Sequence, residues 1–69
     1  MHKGRLFERF DGRYALPDGY YWTCGDYMEV WDSEDQVWIG GRVEYGRCYY
    51  FTDGDGIEIP LYDGMLVRC

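Results

Sequence analysis

Five Asp-Gly dipeptides, at positions 11–12, 18–19, 53–54, 55–56 and 63–64, cut a chain of 69 residues into short pieces. Asp-Gly is a strong turn signal, because glycine reaches positive φ without a steric cost and aspartate bonds its own local backbone. Between the turns the segments are rich in aromatic and β-branched residues. Wherever apolar groups recur at i, i+3, i+4 and i+7 over about eleven residues, a Gly or Pro interrupts them. The pattern predicts an all-β fold of about five to seven short strands. Free edges on so small a sheet invite aggregation and closure removes them, so a small closed or partly closed barrel with an N-terminal hairpin is expected.

That hairpin is expected to run over residues 3–10, turn at Asp11-Gly12 and return over 13–16, offering Leu6, Tyr14 and Leu16 to the core. Tyr20-Tyr21-Trp22 reads as a brief extended piece and Cys24-Gly25-Asp26 as a second turn. Strands over 26–31 and 36–45 then flank the acidic turn Asp32-Ser33-Glu34-Asp35. Gly46 reverses the chain into 47–52, and the loop 53–56 and the runs 57–61 and 65–69 complete it. Side chains alternate across a strand. Met28 and Val30 therefore share one face with Val37, Ile39, Gly41, Val43 and Tyr45, and this face belongs inside. Tyr27, Glu29 and Trp31 share the other with Trp38, Gly40, Arg42 and Glu44. Gly40-Gly41 within a strand predicts a bulge or a sharp bend.

Composition allows such a fold to stand as one domain over residues 1–69. A chain this short hides only about 60% of its unfolded surface. Its aromatic content, Tyr 8, Trp 3 and Phe 3, supplies roughly 150–250 Å² of burial per ring. Cys24, Cys48 and Cys69 are odd in number and form no CxxC pair, which favours free thiols in a cytoplasmic protein over a disulfide framework. The first ten residues mix charge with apolar groups, so no signal peptide is expected, and nothing approaches the ~20 apolar residues of a membrane span. A net charge of −6 repels phosphate backbones and disfavours direct nucleic-acid binding.

Residues 22–43 resemble the middle of Src-homology-3 domains. The similar stretch is Trp22-Thr23-Cys24-Gly25-Asp26-Tyr27-Met28-Glu29-Val30, then the acidic turn, then Trp38-Ile39-Gly40-Gly41-Arg42-Val43. In that family the tryptophan at the place of Trp38 lines a groove for proline-rich peptides. Pro60-Leu61-Tyr62 stands loosely where the family has Pro-x-x-Tyr, and the family's long acidic loop has no counterpart. The whole chain also resembles a family of short uncharacterised bacterial proteins, a domain of unknown function from Gram-positive bacteria and their mobile elements. The features that carry this are Lys3-Gly4-Arg5-Leu6, Gly12-Arg13-Tyr14-Ala15-Leu16, Cys24-Gly25-Asp26 with Met28-Glu29-Val30, Trp38-Ile39 with Gly41-Arg42-Val43-Glu44, and Gly64-Met65-Leu66-Val67-Arg68. That resemblance implies a small stand-alone domain with no established activity.

The expected binding site is the outer aromatic face, with Tyr27, Trp31 and Trp38 as apolar contacts and Glu29 and Arg42 orienting a protein or peptide partner. A second copy of the chain is another possible occupant. The competing expectation is that these aromatics are covered by the N-terminal hairpin or the C-terminal strand. Asp53-Gly54-Asp55-Gly56-Ile57-Glu58 resembles the start of a calcium loop but lacks the fifth-position oxygen and the distant Glu, so it reads as a plain turn. No metal, cofactor or catalytic residue is expected: Cys24 and Cys48 have no histidine nearby in sequence, and His2 is the only one. A second functional class is an acidic inhibitor or DNA mimic, drawing on Asp18, Asp26, Glu29, Asp32, Glu34 and Asp35.

Overall fold

The computed structural model describes residues 1–69. All of its secondary structure is β: β1 Lys3–Arg5, β2 Phe7–Glu8, β3 Tyr14–Ala15, β4 Tyr21–Trp22, β5 Tyr27–Asp32, β6 Val37–Tyr45, β7 Tyr49–Thr52, β8 Glu58–Pro60 and β9 Leu66–Arg68. The glycine of every Asp-Gly pair adopts positive φ, between 85° and 115°. Turns therefore fall where the dipeptides place them.

The strands number nine rather than five to seven, and they form two antiparallel sheets that are not closed into a barrel. One sheet has the order β1-β9-β5-β6-β7-β8 and the other the order β2-β3-β4. The extra strands arise because the N-terminal segment serves both sheets. Lys3–Arg5 pairs with β9, and Phe7–Glu8 pairs with β3. Between them Leu6 donates its N–H to the Met65 carbonyl and accepts from the N–H of Gly64. The chain passes from one sheet to the other at Leu6, whose side chain is buried in the core. The hairpin expected over residues 3–16 is thus confined to β2 and β3.

One core joins the two sheets. Leu6, Leu16 and Trp22 come from the N-terminal part, and Met28, Val30, Val43, Phe51, Leu61, Met65 and Val67 from the rest. Trp22 is fully buried, and its indole N–H donates to the Tyr27 carbonyl at 2.9 Å. No buried side-chain nitrogen or oxygen lacks a hydrogen-bond partner, so the core carries no penalty of that kind.

At Gly40-Gly41 there is no bulge. The β5–β6 register runs unbroken from Asp32↔Val37 to Tyr27↔Arg42. Gly41 answers a close approach instead: a Cβ there would lie 2.2 Å from the Thr52 carbonyl oxygen and 2.8 Å from the Phe51 ring. The next residue, Arg42, pairs with Tyr27 on one side and with Thr52 on the other, and Val43 still bonds Gly25 and Asp26, so β6 is held from both sides where β7 begins to pair with it. Because no residue is inserted, Val43 stays on the same face as Met28 and is fully buried.

Candidate functional site

The outer face of β5 and β6 is built by direct cross-strand pairs. Trp31 stands opposite Trp38, Glu29 opposite Gly40, and Tyr27 opposite Arg42. The two indoles meet with centroids 5.3 Å apart and planes tilted by 58°, an offset geometry that ring quadrupoles favour. Alternation thus brings the tryptophans together as expected, and both are half-buried. Tyr27, at 54% exposure, lies across the bare backbone of Gly40, where its hydroxyl comes within 2.8 Å of a Cβ position.

An ion-pair network ties the face together. Glu29 accepts from the Tyr27 hydroxyl at 2.6 Å with one oxygen and from Arg68 Nε at 2.6 Å with the other. Arg68 sits opposite Glu29 on β9, and its guanidinium extends over the Trp38 ring, 4.2 Å from the centroid. The Tyr27 hydroxyl, and then Arg68, hold the Glu29 carboxyl below its ordinary range. The same bond to Glu29 pushes the Tyr27 phenol up. The C-terminal strand therefore covers part of Trp38 through Arg68, and the N-terminal hairpin pairs elsewhere.

Arg42 is placed on this face but turned to its own strand, where it pairs with Glu44. Glu29, expected to orient a partner, has both oxygens engaged within the protein. Arg68 was not anticipated as a member of the site. Its sequence signal is weak, a lone cation in the last strand, and its role depends on a pairing with Glu29 across 39 positions.

The run of acidic residues over 18–35 is divided by the fold. Asp18 accepts from His2 and caps the N–H of Tyr20, Asp26 caps the N–H of Thr23, and Glu29 is bound as described. Asp32 bonds the N–H groups of Glu34 and Asp35, closing the β5–β6 turn. In the Asp53–Gly56 loop, Asp53 spends one oxygen on the N–H groups of Asp55 and Ile57. That geometry is a turn built on its own backbone. Cys24 Sγ donates to Glu44 at 3.1 Å, and this bond pushes the thiol pKa up, opposite to what an activated nucleophile needs.

These features define a small all-β protein with a networked aromatic face on its larger sheet. Residues 4–69 match the family described as Domain of unknown function (DUF5348), and the chain belongs to that family. No curated protein and no solved structure matches it.

Proposed function

We propose that this chain is a non-catalytic binding module of the cytoplasm, an Src-homology-3-like small barrel that contacts a protein or peptide partner through Tyr27, Trp31 and Trp38. The observation that carries this reading is the paired indoles on the outer face of the larger sheet. Tryptophan and tyrosine bury large area at low entropic cost and dominate interface hot spots. Here the rings are also held in place: Arg68 lies over Trp38, and Glu29 fixes both Arg68 and Tyr27. Rings held before the partner arrives lose less freedom on binding. The passage of the chain between sheets at Leu6 and the close approach of β7 to Gly41 support the barrel-like description, since both draw the strands around one core.

Partner capture from a lysate by wild type and by a folded Trp38→Ala variant tests the proposal. Loss of a specific partner from the variant supports it. A partner retained equally by both would remove the aromatic face from the account. A second reading, an acidic inhibitor that occupies a basic groove, draws on the unpaired carboxylates of residues 32–35. Capture that collapses at high salt favours that reading, because contacts between exposed charges are screened while apolar docking is not.

A further inference from the structure

The net charge of −6 is concentrated. Residues 32–35 and 53–58 carry Asp32, Glu34, Asp35, Asp53, Asp55 and Glu58 with no basic residue, while the remaining seven carboxylates are matched by the seven Lys and Arg. None of those six takes part in an ion pair. The fold brings the two segments to one cavity of about 340 Å³. Val30, Trp31, Ile39, Ile57 and Ile59 form its apolar walls, and Asp32, Ser33 and Glu34 of the β5–β6 turn complete it. An apolar slot with an acidic rim suits an apolar side chain flanked by cations.

The chain itself presents such a group. Phe10, at the tip between β2 and β3, is 97% exposed. Arg9 and Arg13 flank it, and Asp11 between them pairs with both, so the turn 9–13 carries two cations to one carboxylate, with Glu8 behind it at the end of β2. Tip and slot lie at opposite ends of β6. Asp11 and Gly12 share a cleft with Tyr45 and Arg47 at its C-terminal end, whereas the slot adjoins the turn before its first residue. Nine strand residues span about 26 Å, and the longest dimension of the chain is 32 Å. Phe10 cannot reach its own slot, so a Phe10 that fills it must come from another copy.

We propose that the protein associates head to tail with second copies of itself. Phe10 of one copy enters the slot of the next, and Arg9 and Arg13 face Asp32 and Glu34. Such a contact is heterologous, so it propagates into open chains or closes into a ring. The slot shares Trp31 with the outer aromatic face, so the two proposals are separated at residues that only one of them uses: Phe10 for self-association and Trp38 for the partner.

Sedimentation of the full chain over a concentration series at low salt tests it, with Phe10→Ser and Glu34→Lys compared to wild type. Both substitutions are at exposed turn positions, and circular dichroism checks that the fold persists. The wild type is expected to gain mass with concentration and to lose it as salt is raised. Phe10→Ser should associate roughly tenfold or more weakly, the scale set by losing one buried aromatic ring, and Glu34→Lys should also associate more weakly, because it sets a cation against Arg9 and Arg13. Mixed together, the variants should form a dimer and stop there, since Glu34→Lys keeps its tip and Phe10→Ser keeps its slot. A wild type that stays monomeric, a Phe10→Ser variant that associates like wild type, or a mixture that fails to pair would each overturn the proposal.

Discussion

Trp22 and Trp38 flank the same strand, β5, and meet opposite fates. Trp22 is sealed in the core, with its N–H on the Tyr27 carbonyl and its ring edge-to-face with Tyr20, centroids 4.8 Å apart. Trp38 lies on the other side of the sheet, against Trp31 and beneath the Arg68 guanidinium. Truncating a core tryptophan costs about 3–5 kcal/mol, through lost burial and the cavity left behind. The Trp31–Trp38 pair contributes roughly 0.5–1.5 kcal/mol beyond the area its half-buried rings hide, and an exposed cation–π contact about 0.5–1 kcal/mol. Half-exposed rings leave no sealed cavity when truncated, so each lends less to stability than Trp22. Residues that stability does not require in place are available for recognition.

The adjacent glycines Gly40 and Gly41 sharpen this contrast most strongly, because the same added methyl points outward at one and inward at the other. Gly41→Ala drives a Cβ against the Thr52 carbonyl and the Phe51 ring, neither of which can withdraw. It is expected to cost about 3 kcal/mol or more, read as a fall in the thermal midpoint or a failure to fold. Gly40→Ala meets only the far end of the Tyr27 side chain. Tyr27 swings aside and gives up its bond to Glu29, and the fall in thermal midpoint is expected to be much the smaller of the two. Equal losses from the two variants would break the distinction between the faces.

The smallest effect concerns pH. Glu29 titrates below its ordinary range in the folded protein, so its contribution is present above the unfolded carboxylate pKa and lost as pH falls through the lowered folded value. Tyr27 is raised, so its contribution holds below the unfolded phenol pKa and is lost as pH climbs through the folded one. Glu29→Gln is expected to flatten the acid limb of the stability profile. It should also return the Tyr27 titration, followed by its NMR ring resonances, toward that of free tyrosine. An unchanged Tyr27 titration would mean that the network on the outer face is not formed.

Much of this organisation can be read locally, and what cannot is non-local. The Asp-Gly turns depend on two residues and their backbone, and each glycine takes the conformation its dipeptide demands. Alternation sends Met28 and Val30 inward and leaves Trp31 and Trp38 paired outside, since that choice depends only on strand parity. It gives the side but not the depth: Val37 shares the face of Val43 yet is 47% exposed, outside the core cluster, while Val43 is sealed. The change of sheet at Leu6 needs the backbone of Gly64 and Met65, and the close approach at Gly41 needs Phe51 and Thr52. Arg68 joins the site only once β9 has paired with β5. Each is a contact between distant parts of the chain, which no local pattern encodes.

The thermal midpoint of a Trp31→Ala/Trp38→Ala double variant, measured beside Trp22→Ala, tests the central claim most directly. The account predicts that the double variant still folds and loses less than Trp22→Ala, which loses about 3–5 kcal/mol. A double variant that unfolds as readily as Trp22→Ala would show that the outer tryptophans hold the fold together, and would contradict a face kept for a partner.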